Sequence, residues 1–133
     1  MKCANLAAIT IPGSVTGIKT WAFRGCTGLT QVTIPGNVTE IETGAFEECA
    51  GLTSVTIMDG VSKIGVCAFS ECTNVTSVIV PDSVKTILPA AFSSCPGLTV
   101  SCPPGSKAWK HCKGDKIPVT SSRPGLFDKL FRR

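Results

Sequence analysis

The sequence predicts a repeat solenoid, mainly β, in which short parallel strands stack coil on coil and a small helical cap closes the C-terminal end. Three observations carry this reading. Cysteine recurs at Cys3, Cys26, Cys49, Cys72 and Cys95, each 23 residues after the last. Ala-Phe recurs at 22–23, 45–46, 68–69 and 91–92 on the same interval. Apolar columns hold the same phase: Leu6, Leu29, Leu52, Val75 and Leu98; Val15, Val38, Val61 and Val84; Ile18, Ile41, Ile64 and Ile87. Such a period marks an array whose units cannot bury their apolar faces alone and must stack.

Within one unit the alternation in Gln31-Val32-Thr33-Ile34 predicts a strand with Val32 and Ile34 inward and Gln31 and Thr33 outward. Pro35 ends it, because proline cannot donate to a ladder; Pro12 and Pro81 repeat the position, and Met58 replaces proline in the third unit. Gly, Asn and Asp at 36–37, 59–60 and 82–83 turn the chain. Val38 to Ile41 reads as a second extended segment, and the Gly-Ala-Phe region is expected to form one helical turn whose phenylalanine fills the wide end of the coil. In-register stacking would set Glu40 beside Lys63, Lys19 beside Glu42 and Arg24 beside Glu47, as opposite charges on neighbouring coils.

The pattern C-x-x-L-x-x-V-x-I-P-x-x-V-x-x-I-x-x-x-A-F resembles the BspA-like class of leucine-rich repeats, over residues 3 to about 119. The resemblance implies a right-handed leucine-rich-repeat coil. It also implies a place at the cell surface or in secretion, and a role in adhesion or in recognition of a protein or glycan.

The expected organisation is four repeats over 1–95, a partial fifth repeat with its cap over 96–119, and a basic tail over 120–133. In the cap, Ser106 is the expected N-cap of a helix from Lys107 to Lys113, Gly114 its stop, and Ala108, Trp109 and Cys112 its covering face. In the tail, Leu126, Phe127, Leu130 and Phe131 share one side of a short amphipathic helix, a candidate contact for a partner groove or a membrane surface. The charge is uneven: residues 1–100 carry five Lys/Arg against seven Asp/Glu, while residues 101–133 carry eight Lys/Arg against two Asp. No apolar run is long enough to span a bilayer, and the first residues already follow the repeat instead of forming a secretory signal. The chain is therefore expected either to stay inside the cell or to be part of a longer precursor.

Eight cysteines raise disulfide and metal readings. Stacked Cβ atoms about 4.8 Å apart exceed the usual disulfide range, so a buried column of reduced thiols is the expectation. Cys95, Cys102, His111 and Cys112 are the candidate metal cluster, set against a structural role; a Cys102–Cys112 disulfide is the oxidised alternative. His111, the sole histidine, reads as a surface residue. No catalytic set, phosphate loop or paired carboxylates stand out, so the reading is non-enzymatic, with no cofactor and no nucleic-acid partner. Asn37-Val38-Thr39 and Asn74-Val75-Thr76 match the glycosylation acceptor pattern.

The candidate binding face is the outward side of the first strands: Thr10, Gln31, Thr33, Ser54, Thr56, Ser77 and Ile79, flanked by Thr30, Thr53, Thr76 and Thr99. It is small, neutral and hydroxyl-rich. The leading function is an interaction module recognising a protein or glycan. A structural segment of a longer array is the alternative, and an ice-binding threonine surface a third, interrupted by Ala8, Gln31 and Ile79. Self-association is expected at the N-terminal edge, residues 3–23, if no coil precedes it.

Overall fold

The computed structural model describes residues 7–122. Each of the first four coils contributes one strand to each of two parallel sheets, and β9 and β10 extend one of them. Sheet A is six-stranded: β1 (Ala8–Ile9), β3 (Gln31–Ile34), β5 (Ser54–Ile57), β7 (Ser77–Ile79), β9 (Thr99–Cys102) and β10 (Val119–Ser121), neighbours in that order. Sheet B stacks β2 (Gly17–Ile18), β4 (Glu40–Ile41), β6 (Lys63–Ile64) and β8 (Thr86–Ile87). The Cα partners follow the repeat: Gln31 pairs with Ser54 and Ser54 with Ser77, and Ile18, Ile41, Ile64 and Ile87 form one row.

The register changes once. Val78 pairs with Val100, an interval of 22 residues. Strict periodicity would have set Ser101 against Val78 and turned every following side chain to the other face. One residue is missing between Leu98 and Val100, and the pairing follows burial: Val78, Val100 and Cys102 all point inward.

The wide end of each coil differs from the expected helical turn. Ala22, Arg24 and Cys26 donate backwards to Lys19, Trp21 and Phe23 carbonyls at 3.0, 3.2 and 3.2 Å, whereas Trp21, Phe23 and Gly25 donate to Thr43, Ala45 and Glu47 of the next coil at 2.9, 2.7 and 2.9 Å. A helical turn would direct all its N–H groups along one segment. This alternation shares them between local turns and the stack, so each coil is bonded to the next. It needs two left-handed positions per coil. One column is Trp21, Gly44, Cys67 and Ala90; the other is Gly25, Glu48, Glu71 and Ser94, all with φ between 56° and 73°. Six of the eight are not glycine, and each such residue costs about 1–2 kcal/mol in local conformation. The N–H groups of Trp21, Glu48, Cys67 and Glu71 are each anchored on a carbonyl of the following coil.

The core is a set of stacked columns. Phe23, Phe46, Phe69 and Phe92 stack with centroids 5.2, 5.2 and 5.7 Å apart and planes within 9°. Parallel rings at that spacing are offset, the favoured arrangement. Beside them, the thiols of Cys49, Cys72 and Cys95 donate to the Phe23, Phe46 and Phe69 carbonyls at 3.1, 3.2 and 3.2 Å. Cysteine thus supplies both a small apolar body and a weak donor for a carbonyl of the preceding coil. Cys26, Cys49 and Cys72 are fully buried, and among the described residues no disulfide joins two cysteines. Cys3 lies outside the described residues.

The end of the array closes by different means. Helix α1 (Lys107–Gly114) is capped by Ser106, whose hydroxyl accepts from the Trp109 N–H at 3.2 Å. Ala108 and Cys112 are buried beneath it. Gly114 is the last helical residue instead of the stop; Asp115 is the C-cap, and the left-handed residue is Lys116. The chain then returns to sheet A as β10, which carries Thr120 and Ser121 alongside Ser101 and Cys102. The proposed tail contact, Leu126, Phe127, Leu130 and Phe131, lies outside the described residues. Among the described residues, no helix is long and apolar enough to cross a membrane.

Candidate functional site

Two exposed surfaces carry uncommitted chemistry. The first is the outer face of sheet A. There Gln31, Ser54 and Ser77 form one row, and Thr33, Thr56 and Ile79 the next. Thr10 lies one residue beyond β1. Strands about 4.8 Å apart make this a flat ribbed surface. Gln31, Thr33 and Ser77 are exposed, Ser54 and Thr56 are half-buried, and Ile79 is 41% exposed.

The neighbouring hydroxyls are already engaged. Thr30, Thr53 and Thr76 each donate to a carbonyl of the preceding coil, at 3.0, 2.9 and 3.3 Å, onto Ala7, Thr30 and Thr53. Thr39 and Ser62 do the same on the far side of the coil, at 3.1 and 3.0 Å. These columns are part of the stack. By contrast, no side-chain hydrogen bond ties Gln31, Thr33, Ser54, Thr56 or Ser77 to another described residue, so their polar groups face solvent. The two acceptor-pattern asparagines belong with the structural set: Asn37 Nδ2 donates to the Pro12 and Val15 carbonyls, and Asn74 Nδ2 to the Ala50 carbonyl at 2.8 Å. Glycosylation replaces one hydrogen of the amide nitrogen, so Asn37, which bonds two carbonyls through Nδ2, would lose one of those bonds.

The second surface is the ridge of turns at the wide end, which sequence reasoning missed. Trp21 is 56% exposed there. Its indole lies over Gly44, where a Cβ would stand 2.3 Å from Trp21 Cδ1. The signal was present in the column Trp21, Gly44, Cys67, Ala90, where the largest side chain is followed by the smallest. Arg24 lies over the ring, its Cζ 5.8 Å from the indole centroid, and Arg24 Nη2 is 3.6 Å from Glu48 Oε2. The expected partner of Arg24 was Glu47, but Glu47 turns its carboxylate toward Gly44. Lys19 and Glu42 do meet, at 3.6 Å, and Glu42 Oε1 also accepts from the Thr20 N–H and hydroxyl, both at 3.2 Å. Glu40 and Lys63 are register partners without being one of the close ion pairs.

The remaining titratable groups are structural. Burial raises the Cys72 thiol well above its ordinary range, raises the Cys95 thiol as well, and pushes Cys112 up to about 12. They are protonated and unreactive near neutral pH. Cys102 is raised by burial too, and Cys102 and Cys112 are both free. His111 is not a surface residue: its ring meets Phe92 edge-on at 6.3 Å, and its side chain is 15% exposed. Its Nε2 lies 3.3 Å from Asp115 Oδ2 without hydrogen-bond alignment. Among the described residues, no group of three His, Cys, Asp or Glu could hold a metal ion. A shallow open groove of about 720 Å³ runs between the last turn and the segment after α1, lined by Phe92, Cys95, Leu98, Asp115, Lys116 and Ile117 among others.

A family model described as the BspA type leucine rich repeat region matches residues 1–120, in six copies. The chain belongs to this family. It is similar to a leucine-rich repeat protein from Bacteroides ovatus ATCC 8483, at 30% identity and a TM-score of 0.63, over 86% of this chain and 33% of that one. It is also similar to a leucine rich cell surface protein from Faecalibacterium prausnitzii A2-165, at 27% identity and a TM-score of 0.54, over 90% of this chain and 36% of that one. The chain therefore spans about a third of the length of these leucine-rich repeat relatives. Comparison with curated proteins gave no match.

Proposed function

We propose that this BspA-type solenoid is a non-enzymatic recognition module that presents the outer face of sheet A to a protein or glycan, in adhesion or surface recognition. The supporting observation is the division of labour among its hydroxyls. Those on the flanking columns bond the stack, while Gln31, Thr33, Ser54, Thr56 and Ser77 are left for solvent or a partner. The face has no ionisable group, so it can hydrogen-bond a ligand and cannot do acid–base chemistry on one. The buried thiol column is read as a structural device that stays reduced. That the Faecalibacterium relative is described as a cell surface protein agrees with this setting. Binding to immobilised extracellular proteins and glycans tests the reading. The double substitution Thr33→Glu, Thr56→Glu places charge on the face without touching the core, and should abolish binding while leaving the melting temperature nearly unchanged. Binding that ignores the double substitution overturns it.

A second reading has its own support. Because the chain spans about a third of its solved relatives, it is also proposed to act as one segment of a longer array whose ligand contacts several segments.

A further inference from the structure

We infer that the turn ridge carries a saccharide-binding platform centred on Trp21, separate from the face of sheet A. The indole is the largest exposed apolar side chain among the described residues. It is held in place by the backbone of Gly44, where any side chain would displace it. Polar groups share the ridge with it: Arg24, whose guanidinium lies over part of the ring and pairs with Glu48, and Glu42, bonded by Thr20 and Lys19, with the Glu47 carboxylate near Gly44.

A pyranose ring matches this arrangement. It has an apolar face of C–H groups that lies on an aromatic ring, and a rim of hydroxyls that carboxylates accept from and guanidinium donates to. The scale also favours a sugar over a protein surface. A stable protein interface covers about 800 Å² on each side, with charge depleted from its centre. Here the apolar patch is one indole, with the Arg24 guanidinium over it and further charged groups on the same ridge. Two cations, Lys19 and Arg24, face three carboxylates, Glu42, Glu47 and Glu48, which disfavours anionic sugars. The ligand class is thus a neutral hexose chain.

The repeat itself supplies a safe variant. Ala90 holds the equivalent left-handed position at φ 63°, so Trp21→Ala keeps the backbone geometry. Gly44→Ala keeps the indole but removes its seat. With Trp109→Phe as background, Trp21 fluorescence reports binding alone. The probes are gluco-, manno- and galacto-oligosaccharides of four to six residues, titrated to millimolar concentration. The expected result is a saturable change with at least one series. Calorimetry should then show affinity weakened about tenfold or more by Trp21→Ala, and also by Gly44→Ala, with Thr33→Glu, Thr56→Glu leaving it intact. No response to any series overturns the inference, as does binding that survives Trp21→Ala. Loss of sugar binding only in the sheet A double variant also overturns it and supports the other face instead. Loss of a protein ligand without any sugar response, in Trp21→Ala, would make the ridge a protein contact and overturn the assignment to saccharides.

Discussion

The second coil and the fourth are built from the same columns but end differently. Phe46 has a parallel ring 5.2 Å away on both sides. Phe92 has Phe69 at 5.7 Å on one side and the edge of His111 at 6.3 Å on the other. Cys72 is fully buried, whereas Cys95, with the same bond to a phenylalanine carbonyl, is half-buried at the groove beneath the cap. A middle coil is closed by copies of itself, so each column meets its like. The last coil is closed by a helix and a returning strand, which fit the columns only in part.

The largest effect should come from the phenylalanine column. Phe46→Ala should destabilise by about 3–5 kcal/mol in urea unfolding, and Phe92→Ala by about 1 kcal/mol less, since it lacks a second parallel ring. Equal losses would mean that the cap packs as well as a coil.

Alkaline pH should act next. The thiols of Cys72 and Cys112 are raised in the folded state above an ordinary value of 9.0, Cys112 to about 12. The unfolded chain therefore loses protons first. Stability from this source is intact below pH 9 and should fall as pH rises from about 9 towards 12. Melting curves between pH 7 and 11 check this, and Cys112→Ala should flatten part of the slope through the cap, while Cys72→Ala should do so through the middle.

Ser106→Ala should cost about 1 kcal/mol by removing the helix cap, and should loosen the C-terminal end before the coils, seen as faster amide exchange in α1. The smallest change should be Met58→Pro. It restores the residue of the other coils but removes the 2.9 Å bond from the Met58 N–H to the Ile34 carbonyl. The lost bond, about 0.5–1.5 kcal/mol, is offset by the stiffer unfolded chain, about 0.4–1 kcal/mol.

The coils were legible because burial repeats: Val32, Ile34, Val38 and Ile41 are inward where the alternation puts them, and α1 begins where Ser106 announces it. Three features were not. The left-handed turns are occupied by Trp, Cys, Ala, Glu and Ser as well as glycine, so no glycine signal marks them. The strand β10 follows Pro118 in a polar stretch and pairs 19 residues from its partner, outside the period. The Trp21 platform depends on which residue faces which across two coils. The outer face of sheet A could be read residue by residue, but which of its hydroxyls are consumed by the stack could be seen only in three dimensions, because Thr30 and Thr33 look alike in the chain.

Site-resolved thiol labelling of the native protein, read by mass spectrometry without reductant, tests most directly whether copied coils close more tightly than the capped end. Cys49 and Cys72 should label together, and only as fast as the whole chain unfolds, while Cys95 should label earlier through opening of the cap. Cys72 labelling at the rate of Cys95, or any disulfide joining two of these residues, would contradict the account.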